Sequence, residues 1–139
     1  MRKINIASIM IPKALTAILY EDDTVRQGLE VMTHHGYTAV PVLDQQGHYL
    51  GSITEGDFLR HVMAVGSTNK KDHEAYKIGQ ILRRDFCPAV AIEADEAEVI
   101  RSILNQNFLP IVDSRNIMCG ILTRKGVITY LASVCQEIH

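Results

Sequence analysis

The sequence predicts an α/β (α+β) fold of two packed β-α-β-β-α units, and three observations predict it. Gly51-Ser52-Ile53-Thr54-Glu55-Gly56-Asp57 is answered by Gly120-Ile121-Leu122-Thr123-Arg124-Lys125-Gly126, and Pro41 by Pro110, all at a spacing of 69 residues. Ile6-x-x-Ile9-Met10 faces Ile78-x-x-Ile81-Leu82, and Asp23 faces Asp95, at a spacing of 72. The difference places a three-residue deletion between Asp95 and Pro110, close to one helical turn. Finally, each half of the 139-residue chain is too short to bury a comfortable core alone, so the repeats are expected to pack as one pseudo-symmetric domain.

Each element has a local cause. Ile6, Ile9 and Met10 form an amphipathic turn that stops at Pro12, and Ala14 to Tyr20 reads as a buried extended segment. Thr24-x-x-Gln27 is a capping box opening a helix whose apolar face holds Val25, Leu29 and Met32. Gly36 closes it. Tyr37 to Leu43 is a strand, Asp44 to Gly47 a hairpin turn and His48 to Thr54 the returning strand. A helix from Gly56-Asp57 runs to about Val65, and polar, aperiodic residues from Gly66 to Tyr76 read as a linker. The second copy repeats the order. A short helix spans Ile78 to Leu82, an extended segment Pro88 to Ile92 and a shortened helix Asp95 to Gln106. Strands follow at Phe108 to Val112 and Met118 to Leu122, with a last helix from Lys125 to Val134.

Composition narrows the function. An apolar share of 47% with 22% charged residues is ordinary for a globular chain, so disorder is not expected. A net charge of −2 leaves no basic footprint for nucleic acid or an anionic membrane. No stretch approaches the ~20 apolar residues of a membrane span. Met1-Arg2-Lys3 and the apolar residues after it are too soon broken by Pro12-Lys13 to read as an export signal. Cys87, Cys119 and Cys135 are odd in number without C-x-x-C spacing, which predicts a reducing cytoplasm, with all three filling apolar space.

Catalysis is not predicted: there is no P-loop, nucleophile elbow or H-E-x-x-H. His34-His35 sits at a helix C-terminus, where positive charge is welcome. His48, His61, His73 and His139 are scattered, without metal-ligand spacing, so neither a metal nor a cofactor is expected.

The element order, with Gly36-Tyr37-Thr38-Ala39-Val40-Pro41-Val42-Leu43-Asp44 followed by Gly51-x-x-Thr54-x-x-Asp57 and repeated in register, resembles the CBS domain named after cystathionine β-synthase. The resemblance covers nearly the whole chain. It implies a tandem CBS pair about a pseudo-twofold axis, with repeats at 1–66 and 77–139 and a linker at 67–76. It also implies a flat homodimer and adenine nucleotides in clefts between the repeats. Narrower is a resemblance to stand-alone CBS pairs of Gram-positive bacteria that bind cyclic di-AMP. It rests on Gly36 to Ala39, on the shortened second repeat reaching Asn107-Phe108 and on the Gly-x-x-Thr-Arg-basic run from Gly120 to Lys125.

Carried over by position, the resemblance places Ala17, Tyr37, Thr38 and Ala39 opposite Thr123, Arg124 and Lys125 in a first ligand cleft. A second nucleotide cleft would combine Val90, Asn107, Phe108 and Leu109 with Thr54 and Asp57. A carboxylate is acceptor-only, so Asp57 can take both ribose hydroxyls of a mononucleotide, leaving Thr54 for its phosphate. In the other cleft Gly126 replaces the Asp and two cations precede it at a helix start, which suits a phosphate-rich ligand. The family pattern has a second Arg where this chain has Lys125, a point charge in place of a planar fork.

Each residue has a plainer role as well. Asp57 can be a first-turn helix acid, Arg124 and Lys125 solvated charges, Thr38 and Thr54 ordinary strand residues, Tyr37 core, and Phe108 the filling of the second cleft. The expected function is a non-enzymatic, regulatory adenine-nucleotide sensor, for cyclic di-AMP, acting on an unidentified partner protein. The alternatives are an AMP, ADP or ATP sensor built on Thr54 and Asp57, and a ligand-free structural dimerisation module.

Overall fold

The computed structural model describes residues 3–36 and 38–138. Met1, Arg2, Tyr37 and His139, to which the sequence also points, lie outside the described residues. Residues 1–16 carry helix α1 (Ile6–Ile9) and strand β1 (Ile11–Pro12). Residues 17–86 carry β2 (Leu19–Tyr20), α2 (Val25–His35), β3 (Ala39–Leu43), β4 (Tyr49–Thr54), α3 (Glu55–Val65) and α4 (Ile78–Ile81). Residues 87–139 carry β5 (Val90–Ala91), α5 (Glu96–Asn105), β6 (Phe108–Val112), β7 (Met118–Thr123) and α6 (Arg124–Ile138).

The folded units are offset from the sequence repeats. One unit is Ala17–Phe86; the other joins Met1–Thr16 to Cys87–His139. Each unit thus takes the short helix that precedes the other repeat, α4 in one and α1 in the other.

In the unit 17–86, β2 pairs parallel to β3 (Leu19↔Val42), and β3 pairs antiparallel to β4 from Ala39↔Thr54. Its core joins Leu19, Val25, Val40, Ile53, Phe58 and Ile78. Gly28 of α2 makes room for this packing, because a Cβ there would lie 2.6 Å from Ile78 Cδ1 and 2.8 Å from Phe58 Cζ. In the other unit the sheet order is β1-β7-β6-β5, and Ile6, Val99, Ile103, Leu109, Leu122 and Val127 lie in its core. The hairpin β6–β7 begins at Phe108↔Thr123, so its register is that of β3–β4 moved by 69 positions. Even the irregularity recurs, at Val42/Leu43 and at Ile111/Val112. In the turns Gly47 has φ 92°, and Asn116 takes the matching place at φ 66°. Asn is among the few side chains that visit this region readily.

The capping box of Thr24 and Gln27 forms as its spacing predicts, and α2 ends on Gly36 at φ 67°. Three expectations are corrected. Ala14 to Tyr20 is not a buried extended run: Lys13–Leu15 is a 3-10 turn, Leu15 is 76% exposed, and only Leu19–Tyr20 pair with β3. Cys135 is exposed and so does not fill apolar space, unlike buried Cys87.

The third correction concerns the linker, which carries a 3-10 helix at Lys70–His73. His73 is 1% exposed, and its Nε2 donates to the Ser67 carbonyl at 2.9 Å. Its ring meets His61 at 5.2 Å, and His61 meets Tyr76 at 4.6 Å, so three flat rings bury a segment whose composition is polar. His61 Nε2 and His73 Nδ1 have no hydrogen-bond partner.

Burial, and then the neighbouring His73, push the His61 imidazole below its ordinary value. The fold therefore favours neutral His61, while the unfolded chain protonates it near pH ~6.5. The stability this group supplies is present above that pH and declines as the pH falls towards the lowered folded value. Urea unfolding of wild type and His61→Phe between pH 8 and 5 checks this. The wild type is expected to lose stability faster on acidification, by up to about 1.4 kcal/mol per pH unit. Parallel curves would contradict the assignment.

Candidate functional site

Two helix starts, equivalent in the repeats and different in chemistry, carry the residues that the sequence singles out. In the unit 17–86, β4 ends at Thr54 and α3 begins. Thr54 Oγ1 accepts from Asp57 N at 3.2 Å, and Asp57 Oδ2 accepts from Thr54 N at 2.8 Å and from Thr54 Oγ1 at 3.0 Å. The other oxygen, Oδ1, accepts from Arg60 Nη2 at 2.6 Å and from Arg83 Nε at 2.8 Å. Asp57 is 4% exposed. Burial alone would raise its carboxyl, but the bonds from Thr54, Arg83 and Arg60 outweigh it and hold the group below the usual carboxylate range. Beside it, Thr38 is exposed, and its carbonyl accepts from Glu55 N at 3.1 Å, tying the start of β3 to that of α3. Ala39 stands opposite Thr54, and Ala17 packs half-buried against the core.

In the other unit, β7 ends at Thr123, whose Oγ1 accepts from Gly126 N at 3.0 Å. With Gly126 at the Asp position, no side chain returns the bond. Arg124 and Lys125 are exposed, and neither forms an ion pair among the described residues. Arg124 is nonetheless held: its Nε donates to the carbonyls of Ile103 and Gln106, at 3.3 and 3.2 Å, where α5 ends. Phe108, half-buried, stands opposite Thr123, and Asn107 is exposed. Val90 and Leu109 are buried in the core, so their side chains are closed to a ligand.

Of the first predicted set, therefore, Ala17, Thr38 and Ala39 belong to one unit and Thr123, Arg124 and Lys125 to the other. Of the second set, Thr54 and Asp57 belong to the unit 17–86, and Val90, Asn107, Phe108 and Leu109 to the other. The sequence missed Arg60 and Arg83. Arg60 was legible in principle as an i,i+3 partner of Asp57, whereas Arg83 is 26 residues away and follows the exchanged helix α4.

Among the described residues there is no group of three or more His, Cys, Asp or Glu side chains able to hold a metal ion. None of the described helices is long and apolar enough to cross a membrane. Burial, followed by nearby Asp113 and Glu93, pushes the Cys119 thiol up, away from the reactive thiolate.

Residues 6–64 match the family model for the CBS domain. The inosine-5′-monophosphate dehydrogenase of Methanocaldococcus jannaschii is 29% identical over 108 residues, covering 77% of this chain and 20% of that protein. The chain spans about a fifth of the length of the first curated relatives it matches. Among solved structures, CbpB in complex with c-di-AMP superimposes with a TM-score of 0.85 at 19% identity, covering 97% of this chain and 89% of that one. CBSX2 in complex with AMP superimposes with a TM-score of 0.74 at 20% identity, covering 94% and 97%.

Proposed function

We propose that this chain, a CBS domain over residues 6–64 with the fold of the solved CBS pairs, is a non-catalytic, cytoplasmic adenine-nucleotide sensor that binds cyclic di-AMP and signals to a partner protein. The observation that carries the proposal is the contrast between the two helix starts. At α3 the carboxylate that would clamp a ribose diol already accepts four hydrogen bonds. At α6 two cations stand without an acidic partner among the described residues, one pinned by its Nε with its Nη atoms making no described hydrogen bond. A phosphodiester ligand suits the second start. An AMP, ADP or ATP ligand clamped by Asp57 suits the first less well than sequence alone suggests.

Arg124 and Lys125 are the proposed phosphate contacts, at a helix start where Thr123 Oγ1 accepts from Gly126 N. Because this attraction is electrostatic and partly exposed, it is screened as the Debye length falls from ~10 Å at 0.1 M salt to ~3 Å at 1 M. Calorimetric titrations at both salts are expected to show cyclic di-AMP weakening with salt and adenosine, which has no phosphate, barely changing. Equal slopes would remove the basic pair from the ligand site.

A homodimer is part of the same proposal. Leu59 and Met63 on α3 are 64% and 79% exposed, and Leu104 on α5 and Ile128 on α6 are 72% and 65% exposed. Beside them lie apolar grooves of about 360 Å³ between α2 and α3 and about 330 Å³ between α5 and α6, as expected of interface surfaces. Light scattering that finds a monomer at every concentration would contradict this assembly.

A further inference from the structure

The Asp57 carboxylate is held by a structure larger than a helix cap. Arg60 reaches it from the next turn of α3, and Arg83 from the segment after α4. Two separate features place Arg83. Its guanidinium lies 4.5 Å over the Phe86 ring, and its backbone carbonyl approaches β4 at Gly51, where a Cβ would sit only 3.0 Å away. The other repeat supplies an internal control. Gly120 makes the equivalent close approach to Ile11, which lies 72 positions before Arg83, as Ile6 lies before Ile78. Arg83 is thus matched by Ile11, Asp57 by Gly126 and Arg60 by Thr129. Where the repeat lacks the carboxylate it also lacks both arginines.

We propose that Arg60 and Arg83 are specificity-determining residues that occupy Asp57 Oδ1 and so close this carboxylate to a ribose diol. The proposal takes its ligand class from the adenine-nucleotide function proposed above. Thr54 uses only Oδ2, so the capping box survives removal of both arginines while Oδ1 regains room for two donors. A nucleotide that needs the diol clamp is discriminated against by groups of the protein itself. One whose 3′ oxygen is esterified has no use for the clamp and is untouched.

The test is calorimetric titration of wild type and Arg60→Met/Arg83→Met with AMP, 2′,3′-dideoxy-AMP and cyclic di-AMP. The single variants Arg60→Met and Arg83→Met each free one position on Oδ1 and serve if the double variant does not fold. AMP is expected to bind the variant tighter by roughly tenfold or more, with dideoxy-AMP and cyclic di-AMP unchanged. Unchanged AMP affinity beside intact cyclic di-AMP binding overturns the role of the arginines and leaves the sensor proposal standing. A gain for AMP with no cyclic di-AMP binding in either protein does the reverse. An equal gain for dideoxy-AMP also overturns the role, because charge removal and not the diol would then be responsible.

Discussion

Gly120→Ala is expected to cost about 3 kcal/mol or more of folding stability, at or beyond the top of the range for overpacking. A Cβ at Gly120 would stand 2.3 Å from the Ile11 carbonyl oxygen and 3.2 Å from the Ile11 carbonyl carbon. These are backbone atoms of a strand, so no rotamer change relieves the clash. Pro12 is the direct register partner of Gly120, and β1 has only two residues with which to hold β7. Displacing it also loosens α1, whose Ile6 is 1% exposed in the core of the same unit. At Gly51 the Arg83 carbonyl oxygen would lie 3.0 Å from a Cβ, a milder clash, but φ there is 154°, which side chains rarely adopt, so Gly51→Ala is also expected to be destabilising. Urea unfolding of both variants measures the difference. Gly120→Ala as stable as wild type would mean that the segment 1–16 does not pack with residues 87–139.

That exchange is where sequence stops being informative. The duplicated hairpins, the capping box at Thr24 and the glycine stop at Gly36 were legible because each is encoded within a few residues, whereas the capping box of Thr54 and Asp57 was not read. A four-residue helix such as α1 has too few positions for periodicity to say which core its Ile6 enters. Strands β2 and β5 have two residues each, below any alternation signal. His73 stayed hidden for another reason: it lies in a polar run and is buried beside edge-on rings, not by an apolar stripe. At the candidate site the residue types at 54, 57, 123, 124 and 125 were legible, but what each binds was not. Asp57 was read as an open acceptor, and the arginines that fill it come from one helical turn and from 26 residues away.

Arg124→Ala is the second large expected effect, this time on binding. Its Nε is anchored on two carbonyls at the end of α5, so the guanidinium is ordered before ligand arrives and little entropy is lost on binding. The Nη atoms, for which no hydrogen bond is described, are then poised as charge-assisted donors to a phosphate oxygen, and losing such bonds costs roughly 1.5–3 kcal/mol. Lys125 beside it supplies charge without a planar fork and compensates only in part. Asp57→Ala, in contrast, touches a carboxylate outside the proposed phosphate contacts. The measurement is calorimetric titration of cyclic di-AMP into wild type, Arg124→Ala and Asp57→Ala under one buffer. The account predicts binding to wild type, a loss of about tenfold or more in Arg124→Ala and near-wild-type affinity in Asp57→Ala. Binding abolished in Asp57→Ala and intact in Arg124→Ala, or no binding to wild type at all, would contradict it.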